Sequence, residues 1–312
     1  MKKIIVVIPL NDQQKNRMTA LADELSAEIQ FCPVEIPETQ LKRANIIVGN
    51  ISPELLPAAE ALELLQLNSA GYDRYTGAGI VPEGVSVCNA TGAYGLALSE
   101  HMLAMLLSLI KNLPAYHSNQ LEHVWQDAGN VRSIWNSRTL VLGMGNIGGE
   151  FAKRMHALGS TVVGMKRTVT EVPDYCEAVY TFDHLDEQLA LADYVACAMP
   201  DTPDTRNLFD LRRYQLMKPD AILINVGRGT LTDPALLAQV LNKGIIGGAC
   251  VDVANPEPLP ADNPLWRARN CIITPHIAGD YHLAETKERI LAIAEYNIRA
   301  TCSGATLKNR VI

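Results

Sequence analysis

Three residues in the second half of the chain, Arg228, Glu257 and His276, are of the types needed to move a proton at an anionic substrate. Arg228 stands between two glycines in NVGRG, where a guanidinium on an uncrowded turn presents the planar fork that grips both oxygens of a carboxylate. His276, in TPHIAG, carries an imidazole that gives and takes protons near neutral pH. Glu257 lies in VDVANPEPLP, whose prolines restrict the backbone and can hold a carboxylate at one spot, and Asp252 in the same motif directly follows an apolar run. Taken singly, each has a plainer explanation: a surface arginine in a glycine turn, a solvated loop acid, a structural histidine. Their shared position changes the weighing, because each stands at or just beyond the end of an apolar, strand-like run.

All three lie downstream of TLVLGMGNIGGEF, residues 139–151. There an apolar run enters Gly143, Gly145 and Gly148 at the G-x-G-x-x-G spacing, and a helix-compatible segment follows. The first glycine permits the turn, the second lets backbone amides approach a pyrophosphate, and the third lets helix and strand pack closely. The pyrophosphate then meets a helix N-terminus, where unpaired amides and the dipole favour anions. A lone match of this kind is a weak signal; strand, turn and helix in the right order strengthen it. The next apolar run, 161–165, ends in Lys166, Arg167 and Thr168. An NAD enzyme of this fold places an acid about 20 residues beyond the turn, to bind the ribose hydroxyls. Two cations and a hydroxyl instead suit the extra phosphate of NADP, so NADP(H) is the expected cofactor, with NAD(H) possible. A solvated basic strand end is the competing explanation.

The elements that must position these residues follow from a repeated alternation. Short apolar runs at 4–8, 46–49, 65–69 and 85–88 are separated by helix-like segments such as 13–27 and 53–64, which implies a small parallel α/β domain. Ser69, Ala70 and Gly71 end one of these runs, where open α/β sheets bind ligands. Residues 99–113 are apolar almost all round a helix until Pro114, which fits burial at a domain joint or against a second subunit. Strands are then expected at 139–142, 161–165, 194–198, 221–226, 247–251 and 271–274, and a final helix over 285–301 returns toward the first domain. The fold class is α/β: a doubly wound parallel (Rossmann) sheet with a second, smaller α/β domain.

At 312 residues the chain has room for two domains, and 48% hydrophobic with 20% charged residues describe an ordinary globular protein. A net charge of -7 gives no reason to expect nucleic acid or an anionic membrane as partner. The N-terminal MKKIIVVIPL is too short an apolar run for a signal peptide and reads as a buried strand, and no run approaches a membrane span. Seven scattered cysteines fit reduced thiols in the cytoplasm, with neither a disulfide framework nor a metal site.

Through GMGNIG, NVGRG, VDVANPEPLP and TPHIAG, in order and spacing across residues 95–280, the chain resembles the D-isomer-specific 2-hydroxyacid dehydrogenase family, of the phosphoglycerate dehydrogenase and glyoxylate/hydroxypyruvate reductase type. The resemblance implies a discontinuous, flavodoxin-like substrate domain from 1–98 with 284–312, and a dinucleotide domain from 99–283. It implies that Arg228 binds and polarises a 2-oxo acid, that His276 is the acid/base, and that Glu257 pairs with His276 and favours its charged form. Asp252 is expected to contact the nicotinamide, and Ser69, Ala70 and Gly71 to line the substrate cleft. Asn146, Ile147, Pro200, Thr205, Val226 and Gly227 are expected to join the glycines, Lys166, Arg167 and Thr168 around the cofactor. The 99–113 helix matches the family's dimer-forming region, so a homodimer is expected. The implied reaction is hydride transfer between a reduced nicotinamide and the carbonyl carbon of a 2-oxo acid. Which acid depends on side chains near Ser69, Tyr72, Tyr94 and Trp266. The chain ends soon after the returning helix, which leaves no room for an added regulatory domain. The alternative is a non-catalytic dinucleotide sensor on the same fold; loss of Arg, Glu or His would favour it, and all three are present.

Overall fold

Runs of Val, Ile and Leu short enough to be strands and apolar enough to be buried on both faces make parallel sheets, and two such sheets organise this protein. The computed structural model describes residues 1–32, 35–169 and 171–312. The chain divides into two units, Met1–Tyr94 with Leu283–Ile312, and Gly95–His282.

In the first unit β1 (Lys3–Val6) is buried throughout and is followed by α1 (Asp12–Glu24), which starts at a reciprocal cap between Asn11 and Gln14. Then come β2 (Glu28–Phe31), α2 (Glu38–Leu41), β3 (Ile46–Val48), β4 (Leu64–Gln66) and β5 (Ser86–Cys88). Among the described residues these form a five-stranded parallel sheet in the flavodoxin-like order β2-β1-β3-β4-β5. Strand β2 does not announce itself in the sequence because it lies at the edge, with none of EIQF fully buried. The helix expected over 53–64 is only a 3-10 turn, Pro53–Ala58, since Pro57 cannot donate to a continuing helix ladder.

The second unit opens with α3 (Gly95–Ile110) and α4 (Leu113–Leu121), joined through Asn112 in the left-handed region, with a bend of 67° between them. Pro114 therefore does not stop the first helix; it sits in the first turn of the second, where its missing N–H costs nothing. Next are β6 (Arg138–Leu142), α5 (Asn146–Ala157), β7 (Thr161–Met165), β8 (Ala178–Tyr180), α6 (Leu185–Leu191) and β9 (Tyr194–Cys197). After these come α7 (Leu211–Leu216), β10 (Ile222–Asn225), α8 (Pro234–Asn242), β11 (Gly248–Val251) and β12 (Cys271–Ile273). The described residues give a seven-stranded parallel sheet, β12-β11-β10-β9-β6-β7-β8. Its core includes Leu140, Leu142, Val163, Val195, Leu223 and Val251, each contributing about 1.5–3 kcal/mol by leaving water. The chain winds one way from β6 to β8 and the other from β9 to β12, so the crevice for a ligand opens at the carboxyl ends of β6 and β9.

The last helix, α9 (Ala284–Ser303), returns to the first unit. Glu288 on α9 accepts from Gln14 and Arg17 of α1, and Arg17 also donates to Glu295. Buried Asn297 donates to Gln66 at the end of β4 (2.6 Å) and to the Lys308 carbonyl, and the tail bridges from Arg310 to Cys88 on β5. Both ends of the chain thus build one unit. Among the described residues no single helix is long and apolar enough to cross a membrane.

Candidate active site

The carboxyl edge of the seven-stranded sheet collects the residues singled out by type and spacing. After β6, Gly143 has φ +94°, open to glycine but strained for other residues, and a Cβ there would lie 2.7 Å from the Ala198 carbonyl oxygen. At Gly148 a Cβ would lie 2.1 Å from the Gly143 carbonyl oxygen, so only glycine lets α5 sit this close to the turn. Gly145 is different: its φ of -80° is open to any residue, and a Cβ would meet nothing within 4 Å. Neither backbone nor packing requires glycine there. A ligand against that backbone would, and Gly145 is also the N-cap of α5 with no side chain capping it. The turn therefore fits the pyrophosphate of a dinucleotide. Asn146 and Ile147 follow in the first turn of α5, while Met144 packs under the turn against Gly164 of β7.

At the end of β7, Lys166 donates its backbone N–H to the Tyr180 carbonyl, and Arg167 and Thr168 are exposed beyond it. Among the described residues no ion pair engages Lys166 or Arg167. After β9, the Thr205 hydroxyl donates to the Pro200 carbonyl and accepts from the Thr202 N–H, closing a small loop.

After β10, Val226 and Gly227 lead into Arg228. The turn is fixed by Asn225, whose amide donates to the Arg228 carbonyl (3.0 Å) and accepts from Gly227 N–H (3.1 Å). Both glycines of NVGRG are required by close approach: a Cβ at Gly227 would lie 2.7 Å from the Met199 carbonyl oxygen, and one at Gly229 would lie 1.9 Å from that of Ala254. Sequence reasoning missed Asp201. Its carboxyl is held below the ordinary aspartate range, first by hydrogen bonds from Arg206, against partial burial, and further by the Thr230 hydroxyl and the charges of Arg206 and Arg228. It links the loops after β9 and β10 beside Arg228, and nothing in MPDTPDTRN, which carries both Asp201 and Asp204, signals that.

After β11 and β12 the structure brings Glu257 and His276 together: His276 Nδ1 and Glu257 Oε2 are 2.8 Å apart, while Glu257 Oε1 accepts from the Ala254 N–H (3.0 Å). A carboxylate only accepts, so Nδ1 carries the proton and Nε2 is left to exchange one with a ligand. His276 itself has φ +53°, an uncommon conformation for a residue with a side chain. Asp252 holds it there. This carboxylate, 2% exposed, accepts from the Thr274 hydroxyl (2.6 Å) and from the N–H groups of Ile277 (3.0 Å) and Ala278 (3.1 Å). The Asp252 carbonyl takes the His276 N–H (2.7 Å). Asp252 thus clamps the histidine segment, a task that its place after an apolar run did not reveal.

In the first unit Ser69, Ala70 and Gly71 follow β4, where the Ser69 hydroxyl donates to the Gly71 carbonyl (2.6 Å) and Asn89 donates to that of Ala70 (2.8 Å). The seven cysteines are free thiols. Burial pushes Cys88 and Cys176 up to about 11 and Cys271 up to about 12, which leaves none of these poised as a thiolate nucleophile.

A Rossmann sheet with a glycine turn at its switch point and an arginine, a histidine and a glutamate along the same edge fits a nicotinamide-dependent oxidoreductase. Residues 103–278 match the family model described as D-isomer specific 2-hydroxyacid dehydrogenase, NAD binding domain. The chain belongs to this family and is an NAD(P)-dependent D-2-hydroxyacid dehydrogenase. It is 31% identical to the glyoxylate/hydroxypyruvate reductase B of Pectobacterium carotovorum, over 84% of this chain and 83% of that one. A D-isomer specific 2-hydroxyacid dehydrogenase family protein from Aeromonas salmonicida superposes with a TM-score of 0.89 at 29% identity, covering 100% and 99% of the two chains. One from Xanthobacter autotrophicus, in complex with NADPH and MES, gives 0.83 at 25% identity, covering 100% and 98%. The chain spans about half, 49%, of the length of the mycobacterial D-3-phosphoglycerate dehydrogenases it also matches.

Proposed function

We propose that this protein reduces a small 2-oxo acid to the D-2-hydroxy acid with NADPH, using Arg228, Glu257 and His276. The observation that carries this reading is the 2.8 Å pairing of His276 Nδ1 with Glu257 on the sheet edge that also presents Arg228 and the open glycine turn. Arg228 binds the carboxylate of the acid, and its charge stabilises the oxygen as negative charge develops there. His276 presents a proton at Nε2 to that oxygen, while Glu257 fixes the ring and balances its charge. The bound nicotinamide supplies the hydride. Gly143, Gly145 and Gly148 with the first turn of α5 hold its pyrophosphate, and Lys166, Arg167 and Thr168 receive a 2′-phosphate. The absence of an acid at this strand end supports NADPH over NADH, as does the NADPH complex of the Xanthobacter relative. The likeness to a glyoxylate/hydroxypyruvate reductase supports small 2-oxo acids as the substrate class.

We also assign a homodimer and a reducing, cytoplasmic setting, which free thiols suit. One face of α3 is buried through Met102, Met105, Leu106 and Ile110, and the most exposed apolar surface that supports a dimer is α4 and the loop beyond it. There Leu121, Trp125 and Trp135 stand largely in water and no residue of α4 is buried.

The test is a panel of glyoxylate, hydroxypyruvate, pyruvate and branched 2-oxo acids with each cofactor. The expected outcome is at least one substrate with kcat/KM on the order of 10⁴ M⁻¹s⁻¹ or better, and a preference for NADPH of roughly tenfold or more, the worth of one well-made phosphate contact. A strong preference for NADH overturns the role of Lys166 and Arg167; no turnover on any 2-oxo acid overturns the proposed substrate class.

A further inference from the structure

We propose that His101, on α3, is a positioning residue for His276, acting through Thr274 and Asp252; this rests on the reading of His276 as the acid/base. His101 Nε2 lies 3.0 Å from Thr274 Oγ1, which in turn lies 2.6 Å from Asp252 Oδ1. Asp252 accepts the N–H groups of Ile277 and Ala278 through its carboxylate, and that of His276 through its backbone carbonyl. A chain of hydrogen bonds therefore runs from a helix that carries none of the proposed catalytic groups to the three amides that bracket the imidazole.

The direction of each bond follows from the chemistry of the partners. A carboxylate only accepts, so the single Thr274 proton goes to Asp252, and the hydroxyl oxygen must accept from His101. This fixes the tautomer of His101 with its proton on Nε2. The alternative acceptor for the Thr274 hydroxyl is the Met105 sulfur at 3.9 Å, a weak one. His101 Nε2 also stands 3.8 Å from Asp252 Oδ1, so it adds a positive edge beside an almost fully buried carboxylate.

The clamp has something to hold. His276 occupies the left-handed region, which side chains with a Cβ adopt only where their surroundings over-determine the backbone. If His101 is removed, the Thr274 hydroxyl loses its donor and Asp252 loses a neighbour. The grip on the 276–278 amides then loosens, and the proton at Nε2 drifts from its target. Misplacement of a catalytic group by as little as an ångström can cost orders of magnitude in rate.

The test compares His101→Leu with His101→Gln, whose amide nitrogen can reach the place of Nε2 and donate to Thr274. His101→Leu should lower kcat by roughly tenfold or more, with KM for the 2-oxo acid and Kd for NADPH little changed and a larger solvent deuterium isotope effect on kcat. His101→Gln should restore most of kcat. Thr274→Val should reproduce the loss, which also reads the chain if His101→Leu does not fold, and the double variant should be no worse than either single one. Wild-type kcat and isotope effect in His101→Leu overturn the proposal. So does an equal fall in His101→Leu and His101→Gln that follows Tm alone. His276→Ala in the same assay separates the two readings: if it is active, the acid/base assignment itself fails; if it is inactive beside a fully active His101→Leu, only the role of His101 fails.

Discussion

Arg228 shows how one residue is made ready by its neighbours. Asn225 ties the turn, glycines on either side admit the backbones of Met199 and Ala254, and Asp201 sets a carboxylate within electrostatic reach. Arg228→Ala should therefore raise KM for the 2-oxo acid and lower kcat together, with kcat/KM falling by about 10³ on the scale of losing one charge-stabilising donor. Steady-state kinetics check this, and an unchanged KM would remove Arg228 from carboxylate binding. The residues of this kind were legible because each ends an apolar run within a short motif. Asp201, Thr274 and His101 were not. Asp201 reaches Thr230 across 29 residues, and His101 and Thr274 lie far apart along the chain, so only the folded sheet makes them neighbours. Asp252 was legible as a residue of the site, but its hold on the amides of Ile277 and Ala278 depends on a loop geometry that spacing does not encode.

At the scale of elements, the central strands could be read because strands buried on both faces are continuous apolar runs, such as LVL in β6 and ILI in β10. The edge strands β2 and β8 could not, since one side faces water and EIQF or AVY is too short or too mixed to stand out. Residues 99–113 misled at their end, because proline is as well suited to starting a helix as to stopping one. The glycine turn yields a prediction that separates folding from binding. Gly148→Ala places a Cβ 2.1 Å from a backbone oxygen and should destabilise the second unit by about 1–3 kcal/mol or more, read as a lower Tm. At Gly145 an added Cβ meets no protein atom within 4 Å, so Gly145→Ala should lower Tm far less than Gly148→Ala while weakening NADPH by roughly tenfold or more, about 1.4 kcal/mol. Equal NADPH affinity in Gly145→Ala would show that no ligand lies against that backbone.

For the whole molecule, the two ends of the chain meet in one unit through α9 and the Asn297–Gln66 bond, while the residues between them build the other. The apolar surface of α4 and the loop bearing Trp125 has no cover among the described residues, and light scattering at micromolar concentration should give the mass of two copies of a 34.1 kDa chain. A monomer under these conditions, or a dimer unaffected by Trp125→Glu, would remove that assignment. The claim on which the rest depends is that the Arg228, Glu257 and His276 edge reduces a 2-oxo acid on one face only. It is tested most directly by letting the protein consume NADPH with hydroxypyruvate or pyruvate and resolving the enantiomers of the product. The account predicts the D-2-hydroxy acid alone; the L-enantiomer, or a racemate, would contradict it.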